Sequence, residues 1–331
     1  MANTGFDVLG IGNAIVDVLA HVDEDRLASE GVAKGAMTLI DAPRAVALYD
    51  VMGPAIETSG GSAANTIAGI ASLGGRAAFI GRVKNDEFGT IFSHDIRALG
   101  VHYDTPPAQD GPPTARCLIM VTPDGQRSMS TYLGACQGLG PEHVEPALIE
   151  AAGIIYLEGY LWDPPEAKKA FRKAIDIAHA AGRKVSLTLS DSFCVARYRE
   201  EFRALIDEHR IDILFANEHE VMSLYEVETF DDALQIVRGK LPVAALTRSE
   251  KGSVVMSGSE LHVIDPEPVA RVVDSTGAGD LYAAGFLFGL AKNRDLRSCG
   301  RLGSLCAAET LVQMGPRPSV SLAASAKARG L

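Results

Sequence analysis

Near the C-terminal end, one stretch combines residue types that could do chemistry: Asp274-Ser275-Thr276-Gly277-Ala278-Gly279-Asp280. It follows a strand-like run, Val269 to Val273, and leads into Leu281 to Lys292, which reads as an apolar helix. Glycines at 277 and 279 let the backbone turn sharply and come close to a ligand. The N–H groups of Gly277, Ala278 and Gly279 then converge at the positive end of a helix, which makes an anion site. Such a cradle suits a phosphoryl group in flight, whose charge spreads over its equatorial oxygens. Asp280 falls in the first helical turn, where the helix dipole favours its carboxylate form. A carboxylate is a weak base, but it suffices where the attacking hydroxyl loses its proton late. By itself the segment also reads as a turn and a helix cap. It is neither a Walker loop nor a dinucleotide fingerprint, because Tyr282 stands where a third glycine would be.

Four further clusters have the composition of ligand contacts. Gly12-Asn13-Ala14-Ile15-Val16-Asp17 closes the first strand, and the Asp17 carboxylate can accept two hydrogen bonds from a vicinal diol. Gly60-Gly61-Ser62-Ala63-Ala64-Asn65 opens a helix from Ala63 to Leu73 and reads locally as a turn. Asn217-Glu218-His219-Glu220 follows a strand and has the spacing of a helix capping box. The same segment misses a zinc motif, because position 223 is Ser. Thr247-Arg248-Ser249-Glu250-Lys251-Gly252 follows another strand.

Taken together, these motifs resemble the PfkB (ribokinase-like) family of carbohydrate and nucleoside kinases. Asp274 to Asp280, continued by Ala283-Ala284-Gly285, is similar to its C-terminal signature, and Gly60 to Asn65 is similar to its N-terminal one. The likeness spans nearly the whole chain. It implies that Asp280 is the catalytic base and that Gly277, Ala278 and Gly279 form the anion hole. Gly60 and Gly61 would hinge a lid and approach the sugar, and Asn65 would bond a substrate hydroxyl beside Asn13 and Asp17. Asn217 and Glu220 match the family's N-x-x-E motif, with Glu220 near Mg²⁺ through a water. Thr247, Arg248, Gly252 and Thr276 would complete the contacts to ATP. The resemblance places the adenine of ATP around Cys306 to Gln313. A monovalent cation such as K⁺ near Asp274 and the Gln313 to Ser319 loop, as in some relatives, stays open.

Positioning these groups takes a frame. Phe6 to Ile11, Ala77 to Ile80, Ile154 to Leu157, Val185 to Leu189, Ile211 to Phe215 and Val243 to Leu246 read as buried strands. Helical patterns such as Asn85 to Leu99, Pro165 to Ala181 and Ala196 to Ile206 lie between them. This alternation predicts an α/β fold with a mostly parallel central sheet and helices on both faces; the resemblance implies a ribokinase-like three-layer sandwich in a single domain over residues 1–331. Ligands should sit beyond the carboxyl ends of its strands. Residues 16–40 and 115–133 break the rhythm and read as strands without helices between them, joined in the second case by Thr122-Pro123-Asp124-Gly125. They are expected to form a small β-sheet lid or an edge meander.

The acceptor is the less determined part. Gly12-Asn13 with Asp17, Arg127-Ser128 and the run Met129 to Leu133 look most like the adenosine kinase branch. Alternate lid residues Met129, Thr131 and Leu133 share a face, joined by Met37 and Cys117, with Tyr160 or Leu161 from the strand end below. This apolar set suits a purine better than a hexose, or else forms the lid's own core. The alternative acceptor is a ribose- or fructose-type sugar. The net charge of −11 offers no footprint for nucleic acid or an anionic membrane. No stretch approaches the ~20 apolar residues of a membrane span, and Met1 to Gly10 lacks a leader pattern. The five cysteines form no C-x-x-C pair, which is consistent with reduced thiols in a cytoplasmic protein. Monomer and homodimer stay open.

Overall fold

The computed structural model describes residues 5–317 and 319–331; Met1 to Thr4 and Pro318, which belong to the leader and cation-loop readings, lie outside them. In chain order the strands are β1 (Phe6–Ile11), β2 (Ile15–His21), β3 (Met37–Leu39), β4 (Ala55–Gly60), β5 (Ala77–Ile80), β6 (Ala115–Val121), β7 (Arg127–Tyr132), β8 (Ala152–Glu158), β9 (Lys184–Thr188), β10 (Ile213–Asn217), β11 (Val243–Thr247), β12 (Ser253–Ser257) and β13 (Glu260–Ile264).

An eight-stranded sheet has the order β13-β12-β11-β10-β9-β8-β1-β5. Neighbours from β5 to β11 pair parallel, and β12 and β13 close the far edge antiparallel. Its strands are near-continuous apolar runs because helices cover both faces. The helices Ser62–Ser72, Ala278–Ala291 and Leu296–Leu311 pack one face with Val8, Phe79 and Phe215. The helices Pro165–Ala180, Ser192–Asp207 and Glu218–Tyr225 pack the other with Leu9, Leu157 and Leu187. The result is the expected three-layer α/β sandwich.

A second, five-stranded sheet, β3-β7-β6-β2-β4, forms the lid. Its inner apolar residues Val16, Val18, Leu118 and Met120 join Leu48 and Phe92 in a shared core, which seats one face of the lid on the helices Ala42–Val51 and Glu87–Ala98. The turn at Thr122 to Gly125 joins β6 to β7: Gly125 takes φ +82°, and its N–H donates to the Thr122 carbonyl.

Three expectations are corrected. A helix, Glu24–Ser29, interrupts the segment read as uninterrupted strand, started by the Asp23 side chain accepting from the Arg26 N–H. The lid also recruits β4, whose mixed residues Ala-Ile-Glu-Thr-Ser-Gly give no apolar run. Val269 to Val273 is irregular rather than a strand; Val272 is 54% exposed, and no buried face holds the run in a sheet.

The glycine loop is located by the helix behind it. The helices Ala278–Ala291 and Leu296–Leu311 touch backbone to backbone: a Cβ added at Gly285 would stand 2.5 Å from the Leu302 carbonyl oxygen. Gly285→Val should therefore force these helices apart and destabilise the fold by about 3 kcal/mol, the upper end of overpacking costs. A melting curve matching that of the unsubstituted protein would show that the contact does not set the helix position.

Candidate active site

A cleft of about 940 Å³ opens between the lid and the carboxyl ends of the large sheet. β1 delivers Asn13 to it, β8 delivers Glu158, β10 delivers Asn217 and β11 delivers Thr247. This is where a parallel sheet leaves room for ligands, since each strand ends there and a loop must turn into the next helix.

Of the residues singled out in the sequence, Asn13, Asp17, Gly61, Asn65, Met37, Cys117, Met129, Thr131, Leu133, Tyr160, Asn217, Glu220, Thr247, Thr276, Gly277, Gly279 and Asp280 line this one cleft. Gly60, Ala278, Arg248 and Gly252 do not. Gly60 backs the carboxyl group of Asp17, and any side chain there would displace it. Arg248 turns away to cover the Phe230 ring at 4.4 Å. Gly252 holds φ +78° against the Ile264 backbone, where it shapes the turn from β11 to β12. Leu161 is buried in the core beneath Tyr160. Cys306 is buried too, so the exposed residue of the segment expected to hold adenine is Val312.

In the glycine loop, Gly277 takes φ +78° and caps the helix Ala278–Ala291, while Pro316 packs too closely to admit a side chain. The Ala278 N–H donates to the Ser275 carbonyl at 3.2 Å. That removes one of the three expected anion donors. The N–H groups of Gly277, Gly279 and Asp280 have no acceptor among the described residues. A Cβ at Gly279 would meet nothing within 4 Å, so that position opens onto the cleft. Asp274 anchors the loop from below: it accepts from the Thr276 and Gly315 N–H groups, each at 3.0 Å, and pairs with Arg127 at 2.8 Å.

Asp280 accepts a hydrogen bond from the Ser62 hydroxyl at 2.7 Å and from the Asn65 amide at 3.1 Å. Burial raises its carboxyl above the ordinary range, against those two bonds and the nearby Arg317 charge. The helix-terminus argument alone predicted the opposite direction; desolvation outweighs it.

Asp17 is pushed up to about 7, first by burial, with Arg317 and Arg127 opposing and Asp280 adding to the rise. Gly61, at φ +98°, lies so close to the Asn13 carbonyl that a side chain would collide with it. Glu158 was not anticipated. Its carboxylate accepts from the Asn13 amide at 2.5 Å and from the Ala63 N–H at 2.8 Å, and burial pushes it up to about 7. A Glu closing an apolar strand gives no local signal of such a role.

Two cross-strand rows run over the lid: Ile56, Leu19, Ile119, Met129 and Met37 form one, and Thr58, Asp17, Cys117, Thr131 and Leu39 the other. Ile119, Met129 and Met37 of the first and Asp17, Cys117, Thr131 and Leu39 of the second line the cleft. Facing them from the helical side is Phe193, 67% exposed at the rim, with Tyr160 beside it.

At the opposite end, Asn217 and Glu220 form the capping box. The Asn217 side chain accepts from the Glu220 N–H, and both Glu220 oxygens accept from Asn217, at 2.9 and 2.6 Å. Burial pushes Glu220 up to about 7. Asp163 and Asp191 add acidity, and Arg197 is the one basic side chain among the described residues lining the cleft. Such a cavity repels a bare polyphosphate and accepts one whose charge is neutralised by a cation.

Comparison with known proteins places the chain among kinases. The structure of a probable sugar kinase from Rhizobium etli matches with a TM-score of 0.93 at 52% identity, covering 99% of each chain. That of adenosine kinase from Sinorhizobium meliloti matches with a TM-score of 0.92 at 56% identity, covering 98% of this chain and 99% of that one. The adenosine kinase of Saccharomyces cerevisiae is 27% identical over 335 residues, covering 92% of this chain and 95% of that protein. The model of the pfkB family carbohydrate kinases matches residues 55–322. The chain belongs to the pfkB family of kinases.

Proposed function

We propose that this kinase transfers the γ-phosphoryl group of ATP to the 5′-hydroxyl of adenosine, giving AMP. The observation that carries the reading is that one cleft joins Asp17 to the apolar lid residues Ile119, Met129 and Met37 and ends at Asp280 beneath the unpaired N–H groups of Gly277 and Gly279. The ribose 2′- and 3′-hydroxyls bond Asp17, with Asn65 and Asn13 alongside. The purine lies between Ile119, Met129 and Met37 on the lid and Phe193 on the far wall. The 5′-hydroxyl faces Asp280, which takes its proton as the oxygen attacks phosphorus. The N–H groups of Gly277 and Gly279 receive the equatorial oxygens, so the charge of the transition state meets fixed dipoles.

Mg²⁺ fits the acidic end. Both Glu220 oxygens are taken by Asn217, so Glu220 would hold the ion through water, with Asp191 beside it. The bound ion supplies charge neutralisation on the phosphates. A monovalent cation at Asp274 forms no part of the reading, because the Arg127 guanidinium already supplies the counter-charge there.

Free ribose is the second reading, favoured by the polar group of Asn13, Asp17, Asn65 and Glu158, which would hold a sugar without any purine. Direct competition separates the two: equal adenosine, ribose and fructose with limiting ATP, read by mass spectrometry. AMP is expected to dominate; a dominant sugar phosphate would overturn the nucleoside assignment.

Asp17 yields a second test. Its folded-state pKa of about 7 lies above the 3.8 ordinary for an aspartate, so the native protein binds this proton more tightly than the unfolded chain does. Its contribution to stability is present at low pH and is lost as pH rises from about 4 through about 7. Asp17→Asn should flatten that decline in the ligand-free protein. It should also raise KM for adenosine at least ~10-fold, the cost of an unpaired diol. Parallel pH–melting curves for the two proteins, with unchanged KM, would remove Asp17 from the acceptor site.

A further inference from the structure

The guanidinium of Arg317 lies behind the acceptor end of the cleft, in the loop after the helix Leu296–Leu311, and no step above uses it. Its Nε–H donates to Oδ1 of Asn65 at 3.1 Å, and Asn65 Nδ2–H donates to Oδ2 of Asp280 at 3.1 Å. Its Nη1 donates to the Ser59 hydroxyl and stands 3.4 Å from the Asp95 carboxylate. Asp95 in turn accepts the Ser59 N–H at 2.7 Å, so Arg317 is braced against the root of the lid. The side chain is only 14% exposed.

A carboxamide has a donor end and an acceptor end of nearly equal shape, and its neighbours decide which way it points. A guanidinium can only donate. Arg317 therefore holds the Asn65 carbonyl toward itself and turns the amide N–H onto Asp280. A reversed Asn65 would set its carbonyl oxygen against a carboxylate oxygen and leave the Arg317 Nε–H without an acceptor. We propose that Arg317 is a positioning residue for phosphoryl transfer, which locks the Asn65 amide onto Asp280 and keeps that carboxylate ready to accept the hydroxyl proton at neutral pH.

The surroundings agree in sign. Asp280 is faced by Asp17 from β2, Glu158 and Tyr156 from β8, and Tyr160 beyond it, none of which carries positive charge. Asp95 on the helix Glu87–Ala98 and Arg127 at the start of β7 bear on Arg317 and Asp17 respectively. Arg317 supplies the cationic pull on Asp280, opposing the rise due to burial. Burial lowers its own pKa to about 10, against the pull of Asp95, Asp17 and Asp280, so it is charged at neutral pH.

The inference rests on Asp280 being the base, and the test keeps the two apart. kcat and KM are measured against pH for the unsubstituted protein, Arg317→Gln, Arg317→Lys and Asp280→Asn, with melting curves for each. Asp280→Asn should lose at least ~10²-fold in kcat at every pH while staying folded; retention of near-normal turnover would overturn the base assignment itself. Arg317→Gln should move the acidic limb of kcat upward by about one pH unit, the low end of what a neighbouring guanidinium contributes. The resulting loss at neutral pH should then be regained in more alkaline buffer, with KM for ATP unchanged. Arg317→Lys keeps a charge without the forked donors and should move the limb by a smaller amount in the same direction. An unmoved limb in the Gln variant, whether turnover is normal or uniformly reduced, would overturn the positioning role. Should the Gln variant fail to fold, the Lys variant decides: a limb in its original place overturns the proposal.

Discussion

Two buried guanidinium groups hold the cleft together. Arg127 begins a lid strand and pairs with Asp274 at 2.8 Å, both side chains nearly inaccessible to water. Arg317 leaves the C-terminal loop to reach Ser59 and Asp95 at the root of the lid and Asn65 beside Asp280. A buried charge stripped of its partner costs several kcal/mol. The lid and the glycine loop are therefore not independent parts: Arg127 of the lid finds its counter-charge in Asp274 of the loop, and this tie fixes the spacing between them.

The same balance explains the acidity inside. Asp17, Glu158 and Glu220 are each pushed up to about 7 by burial, and Asp280 is raised as well. A fold selected for stability alone would not collect these groups in one cavity. The chain accepts that cost where hydroxyls, phosphates and a divalent cation can pair with them. Hydrogen bonds divide the roles: Glu158 is committed to Asn13 and Ala63, Glu220 to Asn217, and Asp17 is left facing the cleft.

Much of this was legible in the sequence. The strands with near-continuous apolar runs, such as β1 and β5, match their expected limits because both faces are buried and the pattern has one interpretation. The glycine motifs were legible because positive φ and close approach admit few other residues. β4 was missed because an edge strand of the lid needs no apolar face, and Ile56 on it is 71% exposed. Glu158 and Arg317 were missed for a different reason. Their roles come from contacts across long stretches of chain, Glu158 with Asn13 and Arg317 with Asn65 and Ser59, and local spacing carries no trace of them. Ala278 shows the limit of motif reasoning: the loop has the expected composition, yet a single turn bond to Ser275 withdraws its N–H from the cleft.

The central claim is that the hydroxyl to be phosphorylated lies between Asp280 and the N–H groups of Gly277 and Gly279. A crystal structure with adenosine, Mg²⁺ and a non-hydrolysable ATP analogue tests it most directly. The account predicts the 5′-oxygen within hydrogen-bond distance of the Asp280 carboxylate, the ribose diol on Asp17 and the terminal phosphate on the glycine-loop amides. Adenosine bound with its 5′-hydroxyl turned away from Asp280, or with its ribose away from Asp17, would contradict it.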